Sequence, residues 1–540
     1  MRLNQSELLP IIRIVSNPEL SSTRLAAGTV VTADYLPWVR VTAASFLEHH
    51  PDAQFRVLVI DDYAAHQIRD DDGFTVLRPA DVGLTASELG WMQLIYTPLE
   101  LCCALKPWLV RRLLDTSEVV FYIDADICVY GPLTDLADEA QAIGLVLTPH
   151  SLIPREEPDL PNDDALLQFG QFNGGFMVVG RVGRPFVDWW AERCARECTD
   201  WNPELPRRYL DQRWLDLAIG YFPVTVIRDP GINLARWNLF QRDLESIDGR
   251  FTVNGVALRC FHFSAFDPSD PDQMWGLGYA HPHNDPAQSP PLRALLGDYA
   301  RRLIDAGWTA RADASPPASN GMQLAPPVRA AIRTALIEAE RLEVAPVNAG
   351  HNQARIMAWL RMPVSQDGLS WYLWGLREAH ATIRAAFPQV PGSDESRYIS
   401  WASNDGVSGG LVPTALAGAA TRFSVDGTRK FVAVLEVDEV LTDPTLLDGV
   451  GEVFTNLDEV TLLLRAPGHD PETLVRNLQP VLLASGLNGP SAPDLLAVVD
   501  PVPPQLLAGR VHAVFTHRAP NPAFAGIQII TSSQALREAS

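Results

Sequence analysis

Short apolar runs that close on polar residues recur through the first half of the chain, separated by stretches of helical spacing. GTVVTAD (28–34), FRVLVIDD (55–62), FTVLRP (74–79), VVFYIDAD (119–126), IGLVLTP (143–149), GGFMVVG (174–180), PVTVI (223–227) and ALRCFHFS (257–264) read as strands rich in β-branched and aromatic residues. Residues 86–114 have helical spacing, with breaks predicted at Pro98 and Pro107. Strands alternating with helices predict an α/β layer structure with a largely parallel sheet. Ligands of such sheets gather at the carboxyl ends of the strands, where Asp34, Asp61 and the pair Asp124/Asp126 all fall.

After Gly276 the pattern changes. GLGYAHPHNDPAQSPP and ARADASPPASNGMQLAPP are rich in Pro, Ser and Ala and flank one helical piece, LRALLGDYARRLIDAG. The second of these segments reads as a surface connection between domains. VRAAIRTALIEAERL, NQARIMAWLRM and LSWYLWGLREAHATIRAAF then have helical spacing, with Trp359, Trp371, Trp374 and Phe387 as core anchors. FVAVLEVD (431–438), VTLLLRAP (460–467), LLAVVDP (495–501), VHAVFT (511–516) and GIQIIT (526–531) predict a second α/β unit, with PETLVRNLQPVLLAS as an amphipathic helix inside it. The expected division is a first α/β domain over 25–305, a Pro-rich linker over 306–327, a mainly helical domain over 328–425 and a Rossmann-like α/β domain over 426–540.

Composition narrows the functional classes. A length of 540 residues implies two to four domains, and an apolar fraction of 47% with 14 Trp implies well-filled cores. The formal net charge of −22 argues against a nucleic acid as the main partner, because its phosphates would be repelled on average. A small phosphorylated ligand stays compatible, since a metal ion and a few local bases suffice to hold it. Six cysteines in so long a chain are not a disulfide framework, and Cys194 and Cys198 read as structural thiols. MRLNQSELLPIIRIVSN lacks the pattern of a secretory signal, and no apolar run approaches the roughly 18 residues of a membrane span. The expectation is a cytoplasmic protein with no membrane span.

The strongest chemical signal is FYIDADICVYG, which sets Asp124 and Asp126 two residues apart just beyond an apolar strand. Carboxylates so placed can hold Mg²⁺ or Mn²⁺ while leaving coordination positions for substrate phosphates. Such a cation neutralises the charge that develops on a departing diphosphate.

Taken in order, VVTADYL, ALKPWLV, VVFYIDADI, FNGGFMVVGR, LDQRWLD and FHFSAFDP resemble glycosyltransferase family 8 and its bacterial relatives of the GT-A fold, over about residues 28–275. The resemblance implies a GT-A nucleotide-diphospho-sugar transferase domain over 25–305, a UDP-sugar donor, Mn²⁺ or Mg²⁺, a hydroxyl acceptor (glycan, lipid-linked or protein) and retention at the anomeric carbon. It implies metal ligation by Asp124, Asp126 and, from a late strand, His262. Thr32, Ala33, Asp34 and Tyr35 match the seat of the nucleotide base and ribose, and Ala125 lies between the two aspartates. Lys106 matches a basic residue that meets the donor, where Arg is commoner. Asn173, Gly174 and Gly175 match a region where glycine lets the donor sugar approach the backbone, and Asp211 and Gln212 match a pair beneath that sugar. Ser264 stands where a phosphate contact is expected, although the Gly and Lys-Pro-Trp that usually follow are absent or altered.

RAPGHDPETLVRNL resembles the sugar-nucleotide half-domain of other multidomain bacterial glycosyltransferases, and WYLWGLREAHATIRAAFP resembles a helical module attached to such enzymes. Neither carries evident catalytic groups, so both read as accessory. Two other functions fit parts of the pattern. A nucleotidyltransferase acting on sugar phosphates also grips nucleotide through Asp-bound metal, but VVTADYLPW lacks the usual Gly-rich basic loop. A non-catalytic nucleotide-sugar-binding scaffold would retain the fold without turnover. His281 and His283, in a Pro-rich stretch, read as surface residues.

Overall fold

The computed structural model describes residues 23–62, 68–154, 162–200, 210–273, 285–309, 324–346, 350, 352–421 and 423–540. Residues 1–22, most of the expected linker, and His281 and His283 lie outside these residues. The strands of the N-terminal half are β1 (Thr23–Val31), β2 (Gln54–Val59), β3 (Thr75–Leu77), β4 (Ser117–Ile123), β5 (Ile127–Val129), β6 (Leu145–Pro149), β7 (Phe172–Gly180) and β8 (Val224–Val226). They continue with β9 (Leu234–Ala235), the meander β10–β12 (Leu244–Ile247, Arg250–Val253, Val256–Ala257) and β13 (Cys260–His262).

A seven-stranded sheet has the order β3-β2-β1-β4-β7-β6-β8. Its pairs are parallel except those of β7, which runs antiparallel to both β4 and β6. The sheet is therefore largely parallel, as the alternation of strands and helices predicts, with one reversed strand. That reversal brings the first residues of β7 to the edge where β1, β2, β4 and β6 end.

Both faces of the sheet are covered, which explains why its strands are apolar on successive residues. Along β4, Val119, Phe121 and Ile123 pack into one core with Phe46 of α1 (Leu36–His49) and Ala137 of the helix Thr134–Ile143. Val120 and Tyr122 pack into the other, with Leu105 and Leu109 of the helix Pro98–Leu114 and Trp190 of the helix Arg184–Glu197. The helical stretch 86–114 does break at Pro98, where Thr97 and Glu100 form a capping box. It does not break at Pro107, which lies inside the second helix. Pro107 is buried there, so tertiary packing outweighs the lost backbone hydrogen bond. Cys194 and Cys198 are fully buried free thiols.

A second, three-stranded sheet of order β5-β13-β9 sits at the end of β4. Beyond it, the helix Pro326–Arg341 packs against the α/β unit rather than apart from it. Trp91 stacks edge-on against Trp359 at 5.4 Å, and the Arg329 guanidinium donates to the carbonyls of Gln93, Leu94 and Tyr96. One continuous core joins these helices to the flank of the large sheet. The last section forms β14 (Phe431–Glu436), β15 (Val460–Arg465), β16 (Asp494–Val498), β17 (Ala513–Phe515) and β18 (Gln528–Ile530). They make an all-parallel sheet of order β16-β15-β14-β17-β18, with separate cores on its two faces.

Candidate functional site

Strand order alone brings most of the candidate residues to one edge. Asp124 and Asp126 follow β4 in a tight turn closed by the Ile127 amide donating to the Asp124 carbonyl (3.0 Å). The turn is tied to the sheet by the Asp124 amide donating to Gly175 of β7 (2.7 Å), and to α1 by the Thr42 hydroxyl donating to the Ala125 carbonyl (2.5 Å). Because β5 leaves this turn and pairs antiparallel with β13, His262 falls opposite Ile127, one residue past Asp126. The Phe263 amide then donates to the Asp126 carbonyl at 2.8 Å.

The outcome is a compact donor set. Asp124, Asp126 and His262 each present one potential metal-ligand atom, and these atoms lie within 4.8 Å of one another. His262 Nε2 is 3.0 Å from Asp126 Oδ1. Burial alone would raise the Asp126 pKa, but the neighbouring imidazole and backbone hydrogen bonds hold it below the ordinary value, so the carboxylate stays ionised. Two carboxylates and one imidazole suit Mn²⁺ or Mg²⁺, which take oxygen and nitrogen donors and keep positions for phosphate and water. Gly175 faces this set so closely that a Cβ there would lie 2.5 Å from Asp124 Oδ2 and 2.6 Å from His262 Cε1.

Beside the donor set is a buried cation. Lys106 Nζ lies 3.4 Å from Asp124 Oδ1 and 3.3 Å from Asp211 Oδ2, and donates to the Gly174 carbonyl at 3.1 Å. Burial pulls its pKa down, but Asp124 and Asp211 outweigh that and push it well above the ordinary value. Lys106 is thus a permanent charge inside the site, not a surface lysine. Asp211 is buried, which raises its pKa despite Lys106. Gln212 is spanned between two backbone groups, accepting from the Gly174 amide (3.2 Å) and donating to the Phe169 carbonyl (2.9 Å). A Cβ on Gly174 would meet Asp211 Oδ2 at 2.7 Å. Both glycines are therefore required by the side chains packed around them.

Asn173 links this set to residues that sequence patterns did not single out. Its Oδ1 accepts from the Gly175 amide and from Asn233 Nδ2, both at 3.1 Å. Its Nδ2 faces His150 Nε2 at 3.4 Å, while His150 Nδ1 donates to the Gly170 carbonyl at 2.9 Å. Burial lowers the His150 pKa to about 4, so the ring is neutral near pH 7 and can accept from Asn173. Trp237 stands edge-on to His262 with ring centroids 5.0 Å apart, and the Tyr122 hydroxyl donates to Asp124 Oδ1 at 2.9 Å. Only Tyr122 carried a signal, being the inward residue two before Asp124.

Thr32 to Tyr35 form the turn after β1. The Thr32 hydroxyl donates to Asp34 (2.5 Å) and the Ala33 amide to Asp61 (2.8 Å). Tyr35 is exposed, and its ring lies 5.0 Å from that of Trp38. Partial burial, then the negative charges of Asp126 and Asp34, raise its phenol pKa. Ser264, two residues past His262, is half-buried, and its hydroxyl makes no hydrogen bond among the described residues.

No protein-family model matches the chain. Among curated proteins, the uncharacterized protein YfnF of Bacillus subtilis (strain 168) is 28% identical over 174 residues, covering 31% of this chain and 57% of YfnF. The uncharacterized protein YfnD of the same organism is 27% identical over 173 residues, covering 31% of this chain and 54% of YfnD. The chain thus spans little more than half the length of these curated relatives. Among solved structures it is similar to the galactosyltransferase LgtC in complex with donor and acceptor sugar analogs, at 16% identity over 53% of this chain and 97% of that one, with a TM-score of 0.33. It is also similar to the glycosyltransferase GlyE of Streptococcus pneumoniae TIGR4, at 12% identity over 93% of this chain and 87% of that one, with a TM-score of 0.27.

Proposed function

We propose that this chain is a metal-dependent glycosyltransferase that moves a sugar from a UDP-sugar to a hydroxyl acceptor with retention. The observation that carries the reading is the donor set of Asp124, Asp126 and His262 beside the buried Lys106. Asp124, Asp126 and His262 would hold Mn²⁺ or Mg²⁺, which when bound supplies the Lewis acidity that stabilises a departing nucleoside diphosphate.

In this reading the chain's own residues do the rest. Lys106 adds a fixed positive charge next to the leaving diphosphate, in a water-poor place where that charge acts strongly. Gly174 and Gly175 leave the backbone bare so that the donor sugar can lie against it. Gln212 orients Gly174, and Asp211 sets negative charge near the sugar, where positive charge develops at the anomeric carbon. Thr32, Ala33, Asp34 and Tyr35 seat the nucleoside, with Tyr35 offering an exposed ring face to the base. Ser264 is a phosphate contact. Retention rests on the family resemblance of the ordered motifs. The helical segment and C-terminal sheet are accessory units beside a catalytic domain over 25–305.

The test is product analysis with UDP-α-sugars and Mn²⁺. Release of UDP, with the first-formed free sugar or transfer product in the α configuration by proton NMR, is expected. In a parallel incubation with UTP and a sugar 1-phosphate, pyrophosphate release would point to a nucleotidyltransferase, and nucleotide-sugar binding without turnover to a scaffold.

A further inference from the structure

A second polar cavity lies between the C-terminal α/β unit and the end of the helix Pro326–Arg341, and no residue of the donor set lines it. It measures about 580 Å³, within the range that holds small organic ligands. Val434 of β14 and Val514 and Phe515 of β17 line it. These two strands are neighbours, and their successors in the chain lie on opposite sides of them, β15 beyond β14 and β18 beyond β17. That is the topological switch point of a doubly wound sheet, where the crevice at the carboxyl ends takes ligands.

The crevice is held by satisfied polar groups. Glu439 is buried and clamps the end of β17, accepting from the Thr516 hydroxyl (2.6 Å) and the His517 amide (2.7 Å). Glu436 is fixed by the buried Arg465, whose Nε donates to it at 2.9 Å. Beside these two, the wall presents Glu343, Asp438, Arg518 and Asn521. Asp438 Oδ1 already pairs with His469 Nε2 (3.1 Å), one Arg518 nitrogen donates to the Thr442 hydroxyl (2.7 Å), and Asn521 Oδ1 accepts from the Ala523 amide (3.0 Å), so each keeps only part of its hydrogen-bonding capacity for a ligand.

This chemistry selects among ligands. Asp438 and Glu439 occupy the first turn after β14, where a nucleotide-binding sheet would receive a phosphate, and no Gly-rich loop stands there. Anions are therefore repelled at that point. For cations, Glu436 is already neutralised by Arg465, and Arg341 and Arg518 offset most of the charge of Glu343, Asp438 and Glu439, so the wall carries little net charge to hold one. Hydroxyl groups, which both donate and accept, match a wall that mixes carboxylate, guanidinium and carboxamide groups with Val434, Val514 and Phe515.

We propose that this cavity is a binding site for a neutral, hydroxyl-rich ligand, a mono- or disaccharide, separate from the Asp124–Asp126–His262 site. It stands whether or not that first site transfers sugar. The test is saturation-transfer NMR and calorimetry on the full chain in EDTA with glucose, galactose, N-acetylglucosamine, lactose and maltose, and with UDP and inorganic phosphate. At least one saccharide is expected to bind, with affinity at least tenfold lower in Asp438→Asn and in Asn521→Ala and unchanged in Asp126→Ala. Asn521→Ala decides alone if Asp438→Asn fails to fold. The proposal is overturned if no saccharide binds, if binding survives the pocket substitutions, or if Asp126→Ala abolishes it. It is equally overturned if UDP or phosphate binds in a manner lost in the pocket variants.

Discussion

Gly175 leaves no room for a side chain, since a Cβ would fall 2.5 Å from Asp124 Oδ2 and 2.6 Å from His262 Cε1. Gly175→Ala is expected to push these ligands apart and weaken Mn²⁺ binding by about 10- to 100-fold, the scale of other disturbances just outside a metal's ligands. Electron paramagnetic resonance titration checks it, and unchanged affinity would contradict the assignment. Lys106→Met should be costly to the fold itself, because it strands Asp211 in a buried place without its cation. Such one-sided removal destabilises by about 3–5 kcal/mol. The pH dependence has a definite sign. Asp211 already has a raised pKa in the folded state, and losing Lys106 raises it further. A carboxylic acid with a raised folded pKa weakens the fold as pH rises through that pKa, and the penalty disappears below the unfolded value. Lys106→Met should therefore recover stability relative to wild type as pH falls from 7 toward 4, as read by denaturant melts. At this scale the carboxylates of the donor set, Asp124 and Asp126, were legible in the sequence, because a strand closing on Asp-x-Asp is a local pattern. His150, Asn233 and Trp237 could not, because their contacts to Asn173 and His262 join residues far apart in the chain.

Most long strands were predictable as elements, because each is a run of β-branched and aromatic residues buried on both faces. β5 and β9 were not, since three- and two-residue strands carry no periodicity. Yet the antiparallel pairing of β5 with β13 is what sets His262 next to Asp126. The run 257–264, expected as one strand, is two, with Val256–Ala257 in the meander and Cys260–His262 in the small sheet. The reversed direction of β7 was equally hidden, as apolar alternation is the same read either way. α1 holds the metal-type turn through a single hydroxyl, Thr42 to the Ala125 carbonyl. Thr42→Val keeps the shape and leaves that carbonyl without its donor. A loss of about 1–3 kcal/mol in stability is expected, together with weaker Mn²⁺ binding. Equal thermal melts and equal metal affinity would show that the turn is held without α1.

Across the whole molecule, the helical segment and the large sheet share one core, whereas the C-terminal sheet has its own. A chain ending at residue 309 would expose Trp91 and the carbonyls that Arg329 caps. It should melt at lower temperature and bind hydrophobic dyes. A chain ending at residue 421 should keep the fold and Mn²⁺ affinity of the first site while losing saccharide binding at the second. Composition points to a Pro-rich connection between helical and α/β patterns, but how the helices pack depends on which apolar helix face meets which, and periodicity does not say that. The central claim is that Asp124, Asp126 and His262 make a metal site for nucleotide-sugar chemistry. Its most direct test is UDP release from a panel of UDP-sugars, with and without Mn²⁺, by wild type and Asp126→Ala. The account predicts Mn²⁺-dependent release from at least one donor by wild type and its loss in the variant. Release that ignores both Mn²⁺ and the substitution, or none from any donor, would contradict it.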